Sequence, residues 1–266
     1  MCISPTIGHR LRSQRLSRNG GRLLIVPLDH SVTDGPIVAD GSIGTLVDAL
    51  AAGGADAVVL HKGTVRMVDY RAFADLSLIV HLSASTAQAP DPDAKYLVAN
   101  VEEALRLGAE GVSVHVNVGS ADERRQIADL AAVAEACDRW GMPLLAMMYA
   151  RGPRVDPHDP NRLAHAAVLA ADLGADLVKV PYPGSVAAMA DITHGCPVPV
   201  LAAGGAPAPD QHTLLSYVDD VLLAGTGGLA MGRNLFQAAD VAGLTRAVAA
   251  RVHASESAPR QPVLSR

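Results

Sequence analysis

Residues 172–184 read DLGADLVKVPYPG. The stretch opens as the end of a helix. Gly174 then supplies the residue that enters the left-handed region most cheaply at a helix C-terminus. Asp176 follows, and after it the apolar run from Leu177 to Val180. The run is too short for a helix, and an unbroken apolar segment of this length reads as a strand buried on both faces. One residue, Lys179, interrupts it.

The same unit recurs along the chain. AAGGADAVVLHKG (51–63), RLGAEGVSVHVNVG (106–119) and AGTGGLAMGRN (224–234) repeat the order of helix end, glycine, small or acidic residue and apolar run. Further strands read at LLIVPLDH (23–30), LSLIVHLSA (76–84), MPLLAMMYAR (142–151) and VPVLAAGG (198–205), which makes eight. Amphipathic helical stretches fall at 42–53, 98–108, 120–140, 159–173, 185–194, 209–222 and 240–253. In the first of these Leu46, Ala49, Leu50 and Gly53 share one face. Eight strands alternating with helices within 266 residues predict an α/β fold, a single-domain (β/α)8 TIM barrel. A doubly wound open sheet is the alternative, but its Gly-x-Gly-x-x-Gly turn is missing, because strand one ends in Asp29-His30. The expected organisation is an N-terminal helical arm over 1–22, a catalytic barrel over 23–254 and a flexible tail, SESAPRQPVLSR, over 255–266.

Composition agrees with a barrel. Hydrophobic residues make up 49% of the chain and aromatics only 3%, so the core must be built from Ala, Val, Leu and Ile. The net charge is −5, and basic residues gather only in the arm, at Arg10, Arg12, Arg15, Arg18 and Arg22. That arm reads as a solvated helix with scattered arginines, and nothing else points to nucleic acid. No apolar stretch has the length of a membrane span, and no apolar segment follows the N-terminal basic residues as in a signal peptide. Cys2, Cys137 and Cys196 are odd in number, far apart and outside any Cys-x-x-Cys pair. This predicts a reduced, cytoplasmic setting without a disulfide framework or zinc knuckle.

In a barrel the C-terminal ends of all strands face one pocket. Those ends carry Asp29-His30, His61-Lys62, His81, His115 to Asn117, Tyr149 to Arg151, Lys179 to Tyr182, Gly204-Gly205 and Gly232-Arg233. The opposite ends carry mostly Gly, Ala, Asp and Pro. Polar groups concentrated on one rim predict an enzyme. Each group also has a purely structural reading. Asp29 could cap its own loop, and Tyr149 could be a rim aromatic. His61, His81 and His115 read as hydrogen-bonding pocket groups or as zinc ligands. No His-x-His pair and no acidic neighbouring strand end completes a metal set, which favours the former. Lysine attacks a carbonyl only as the free amine, and desolvation or a neighbouring cation raises that population. The chain has three lysines, Lys62, Lys95 and Lys179. Lys179, between Val178 and Val180, is favoured as an imine former, and Lys62, at a looser strand end, as an electrostatic group. Gly204-Gly205 and Gly232-Arg233 sit at the ends of adjacent strands, the second leading into the short helix NLFQ. They read as a phosphate cradle of backbone N–H groups and one guanidinium, or else as a Gly-rich turn with a surface arginine.

Seven blocks together resemble a known family: VPLDHSVTDGPI, VLHKG, VSVHVNVGS, WGMPLLAMMYARG, DLVKVPYPG, VLAAGG and MGRNLFQ. They are similar to the class I aldolases of the archaeal fructose-bisphosphate aldolase type, closest to the 2-amino-3,7-dideoxy-D-threo-hept-6-ulosonate synthase branch and its relatives that condense dihydroxyacetone phosphate with aspartate semialdehyde. The similarity runs from about residue 20 to residue 253. It implies a (β/α)8 barrel that joins a phosphorylated ketose fragment to an aldehyde through a lysine imine. Lys179 would form the imine, Asp29 would accept a proton and Tyr149 would donate one. Implied substrate contacts are Asp29, His30, Ser31, Val32, Thr33, Tyr149, Ala150, Arg151 and Lys179. The strand-end reading adds His61, Lys62 and His115, with Lys62 and Arg151 as candidates for an acceptor carboxylate. Implied phosphate contacts are Gly204, Gly205, Gly232 and Arg233. The resemblance implies no metal and no cofactor, and a homo-oligomer, a ring with a decamer as one option. The product expected is a seven-carbon amino keto acid, a precursor of an aromatic metabolite. The chain departs from the synthases at VPYPGS, where they tend to read Ser-Tyr-Thr-Gly-Asp after the lysine. It departs again at Ala206-Pro207, where they often have Pro-Lys. Neither departure removes a catalytic residue, but both touch the rim, so the substrate pair is left open, with fructose-bisphosphate aldolase activity as the alternative. Separately, a metal-dependent aldolase using the strand-end histidines and a barrel without catalysis stand as rival readings.

Overall fold

The computed structural model describes residues 6–38 and 42–254. Its core is a closed barrel of eight parallel strands. In chain order they are β1 (Leu23–Pro27), β2 (Ala57–Leu60), β3 (Ser77–His81), β4 (Gly111–Val118), β5 (Leu144–Ala150), β6 (Leu177–Val180), β7 (Val200–Ala203) and β8 (Gly228–Ala230). Each strand pairs with its sequence neighbours, and β8 closes onto β1. The strands are thus those read from the sequence, trimmed at their ends. Seven of the surrounding helices fall on the seven amphipathic stretches, from Ile43–Ala52 to Val241–Val252. The connection between β2 and β3 has no full helix. Two short turns, Lys62–Val65 and Tyr70–Ala74, stand in its place.

Strand periodicity divides the apolar residues into two cores. Val58, Leu60, Val112, Val114, Ala146, Met148, Val178 and Val180 point outward and pack under the helices. Leu23, Ile25, Val59, Ile79, Leu145, Met147, Leu177 and Leu201 point inward and fill the barrel. Both sets are buried, which is why the strands read as unbroken apolar runs.

The acidic residue in the repeated unit has a structural task. Asp56 Oδ2 accepts from the N–H of Leu24 at 2.6 Å, Glu110 Oε2 from Leu78 at 3.0 Å and Asp176 Oδ2 from Leu144 at 2.8 Å. Each acid thus satisfies an amide at the start of the preceding strand, where the ladder has not yet begun. The preceding glycine turns the chain into place, and Gly174 does so at φ +100°.

The N-terminal arm is a largely exposed helix that also has a packing edge, Ser13 and Leu16, beyond what its arginines imply. Helix α1 (Ile7–Leu16) is capped by Thr6 and lies against the N-terminal end of the barrel. Leu16 is buried with the inward-facing strand residues and plugs the barrel floor. Arg12 donates to the Gly141 carbonyl at 3.0 Å, Arg18 to the Ala74 carbonyl at 2.9 Å, and His9 Nε2 lies 2.9 Å from Asp176 Oδ1. Arginine periodicity alone did not show that Leu16 had a cavity to fill. The tail expected over 255–266 lies outside the described residues. Among the described residues no helix is long and apolar enough to cross a membrane.

Candidate active site

The C-terminal ends of the strands open into a cavity of about 680 Å³. Lys179 is buried in its wall, facing inward from the middle of β6 above Leu177. The apolar surroundings expected of it are present but differ in identity. Val178 and Val180 point away from it, into the helix layer. Its flanking neighbours are those in register on the adjacent strands, Met147 of β5 and Leu201 of β7, both inward-facing.

Asp29 follows β1 and lies half-buried among histidines. His81 Nε2 lies 3.7 Å from Asp29 Oδ2, and His30 Nδ1 lies 3.8 Å from Asp29 Oδ1. Neither Asp29 Oδ1 nor His30 Nδ1 has a hydrogen-bond partner among the described residues. Burial acts to raise the Asp29 pKa, but His81, His30, Lys179 and His61 together outweigh it and hold the carboxyl below the usual carboxylate range. The histidines behave oppositely. Burial pushes His81 down to about 4, and it lowers His30, His61 and His115 as well. At neutral pH the pocket therefore presents neutral imidazoles around one carboxylate. His81 Nδ1 is engaged by Ser113 Oγ at 2.7 Å, and the rings of His61 and His81 meet edge to face at 5.3 Å. Among the described residues no three His, Cys, Asp or Glu side chains are gathered as a metal-ligand set.

Tyr149 lies on the other side of Lys179. Its ring stacks on His115 at 4.7 Å, and the Lys179 amine sits 5.9 Å from the ring centroid. The Arg151 guanidinium covers the ring at 4.6 Å. His115 is fixed by Asn117 Oδ1, 2.8 Å from its Nε2.

The glycine sites line the same cavity. A side chain at Gly232 would bring a Cβ within 2.6 Å of the Pro27 carbonyl, so this strand end can only approach β1 as glycine. Arg233 donates to the Gly205 carbonyl at 3.1 Å. Asn234 staples the loop after β7, donating to the Gly204 and Ala206 carbonyls and accepting from Ala208 N–H at 2.7 Å. The amides of Gly205 and Gly232 donate to no protein acceptor among the described residues.

Some expected site residues are elsewhere. Lys62 leaves the pocket: its amine lies 3.1 Å from both carboxylate oxygens of Glu103, on the outside of the barrel rim. Lys62→Ala is expected to change kcat/KM by no more than about twofold, as for a surface substitution outside the site. A larger loss in steady-state assays would return Lys62 to the machinery. Ala150 points into the helix layer. Ser31 and Val32 lie on the short helix His30–Asp34 and do not line the cavity, whereas His30 and Thr33 do.

Of the lysines and arginines that line the cavity, Lys95 was not expected there. Strand three was expected to reach residue 84, but β3 stops at His81, and Ser83–Ala84 pairs instead with Tyr96–Leu97 in a small antiparallel ribbon. That ribbon carries Lys95 into the cavity wall. The sequence around it, APDPDAKY, has only turn signals, and nothing in it marks the lysine as inward.

Comparison with known proteins agrees with this geometry. Residues 23–238 match the model of the DeoC/LacD family aldolases. A 2-amino-4,5-dihydroxy-6-oxo-7-(phosphonooxy)heptanoate synthase of Streptomyces griseus is 57% identical over 257 residues, covering 96% of this chain and 94% of the relative. A 2-amino-3,7-dideoxy-D-threo-hept-6-ulosonate synthase of Halobacterium salinarum is 43% identical, covering 92% of each chain. Among solved structures, an archaeal fructose-1,6-bisphosphate aldolase with its catalytic lysine bound to a carbinolamine intermediate superposes with a TM-score of 0.85 at 28% identity. That match covers 92% of this chain and 99% of the other. Barrel, inward lysine and sequence kinship converge: the chain belongs to the DeoC/LacD family of aldolases.

Proposed function

We propose that this enzyme condenses dihydroxyacetone phosphate with L-aspartate semialdehyde through an imine on Lys179. The carrying observation is the position of Lys179: a buried, inward amine between Met147 and Leu201, in one cavity with Asp29, Tyr149 and the glycine loops.

The relative's product name supports the substrate pair. A 2-amino-4,5-dihydroxy-6-oxo-7-(phosphonooxy)heptanoate has its new hydroxyl and its ketone placed for retro-aldol cleavage between C4 and C5. The C1–C4 fragment is then aspartate semialdehyde, and the C5–C7 fragment is dihydroxyacetone phosphate. In the forward direction the Lys179 amine adds to the donor ketone, and the carbinolamine loses water to give the protonated imine. A proton leaves the hydroxymethyl carbon, giving the enamine. That carbon attacks the aldehyde, whose oxygen takes up a proton, and water hydrolyses the product imine. Asp29 serves as proton acceptor and Tyr149 as donor. Gly204, Gly205, Gly232 and Arg233 hold the donor phosphate, so positioning lowers part of the barrier.

Two other donor–acceptor pairs are tested with it. The Halobacterium relative's product is deoxy at C7, which fits a deoxy-ketohexose phosphate donor instead. The structural likeness to fructose-1,6-bisphosphate aldolase favours glyceraldehyde 3-phosphate as acceptor. A matrix of these ketoses and aldehydes, read by product mass, is expected to give the phosphorylated seven-carbon amino keto acid. Hexose bisphosphate as the main product would overturn the proposal. We further propose, from the family resemblance, a cytoplasmic homo-oligomeric ring. The free, buried Cys137 and Cys196 suit a reducing compartment. A monomer in light scattering would rule the ring out.

A further inference from the structure

The cavity's fixed cations lie in two places. Arg233 stands at the glycine loops after β7 and β8. Lys95 and Arg151 stand on the other side of Lys179, on the connection before β4 and at the end of β5. We infer that Lys95 is a specificity residue that, beside Arg151, receives the carboxylate of the acceptor aldehyde.

Lys95 is buried, yet its ammonium has only one protein partner among the described residues, Ser85 Oγ at 2.6 Å. That hydroxyl is itself committed to the Pro92 carbonyl at 2.6 Å. An ammonium carries three donors, so two are left for a ligand. No carboxylate among the described residues lies within ion-pair distance of it. Burial and the Arg151 charge lower its pKa, and a bound carboxylate would relieve both effects. Arg151 is only partly neutralised, 3.6 Å from Asp93 Oδ1. The loop is held rigidly enough to serve: Asn117 and Gln126 both donate to the Asp93 carbonyl at 2.9 Å. A buried cation without an anion, facing a cavity, is a binding group awaiting one. The order round the rim matches the substrate. In the proposed product the phosphate is next to the imine carbon, while the carboxylate lies at the far end of the chain, beyond the new bond.

This inference rests on the proposed function, and the test separates the two. Wild type and Lys95→Met are compared with dihydroxyacetone phosphate and either aspartate semialdehyde or its carboxylate-free analogue, 3-aminopropanal. The preference for the carboxylate acceptor, as a ratio of kcat/KM values, is expected to fall about 10- to 100-fold in Lys95→Met, the range for one charge-assisted hydrogen bond. The loss should lie in the KM of aspartate semialdehyde, and Lys95→Arg should recover part of it. Borohydride trapping of the donor on Lys179 should persist in the variant. An unchanged preference, or loss of donor trapping together with it, would overturn the inference alone. A wild type that traps the donor but does not couple it to aspartate semialdehyde would overturn both.

Discussion

Lys179→Ala is expected to abolish the borohydride-trapped adduct of dihydroxyacetone phosphate and to lower turnover by about 10⁴-fold or more, as loss of a covalent nucleophile does. That is at least about 5 kcal/mol of barrier. Imine formation needs an amine at one point in the cavity, and no other lysine can supply it. Lys62 is tied to Glu103 outside the cavity, and Lys95 is bound to Ser85 on a different wall. Lys179→Met keeps most of the side-chain volume between Met147 and Leu201, so a folded inactive protein separates chemistry from packing. Lys179→Arg keeps the charge but cannot form the imine, and it should be equally inactive. Mass mapping of the adduct decides the matter. An adduct that survives in Lys179→Met, on Lys95 or elsewhere, would refute the assignment.

Much of this arrangement could be read from the sequence because the fold repeats a small unit. Gly174, Asp176 and the run after them recur with the same logic at Gly108 and Glu110, and the acid closes the preceding strand each time. The packing edge of helix α1 is not legible in the sequence, because it depends on one contact, Leu16 under the barrel floor, that no local pattern records. Ala150 and Lys62 fall outside the site because of side-chain alternation along their strands. Successive strand residues point to opposite faces. If Lys179 faces inward with Leu177, then Tyr149 faces inward with Met147, and Ala150 cannot. By the same parity His61 continues the inward series of Val59, and Lys62 is turned out to meet Glu103. Asp29, His81 and His115 lie on the inward parity of their strands. Lys95 could not be found this way, because it arrives on a ribbon whose pairing is set by tertiary contact with Leu82 and Ser113.

Asp29→Asn is expected to slow exchange of the donor's hydroxymethyl hydrogen with solvent deuterium by about 10²–10⁴-fold, the range for a general base. The Lys179 adduct should still form, because the amine and the phosphate loops are untouched. The amide matches the carboxylate in size, so the change removes basicity and little packing. Asp29 Oδ1 has no hydrogen-bond partner among the described residues, and a buried oxygen left open toward a cavity is available to a substrate proton. The wild-type pH dependence follows from the sign of the shifts. As pH falls, His81 stays neutral until about 4, and its charge then appears 3.7 Å from Asp29 Oδ2. That charge favours the carboxylate, so Asp29 is the last member of the cluster to protonate. A base whose pKa is depressed remains active above that lowered value. Exchange per trapped imine should therefore show no carboxylate limb between about pH 8 and pH 5. A limb near pH 5–6 would mean that burial prevails over the surrounding charges and that Asp29 is poised as an acid. Exchange that survives in Asp29→Asn but disappears in Tyr149→Phe would move the base to the tyrosine, the group already 5.9 Å from the Lys179 amine at its ring centre. The two variants together thus assign the proton acceptor by which one uncouples imine formation from carbon–hydrogen cleavage.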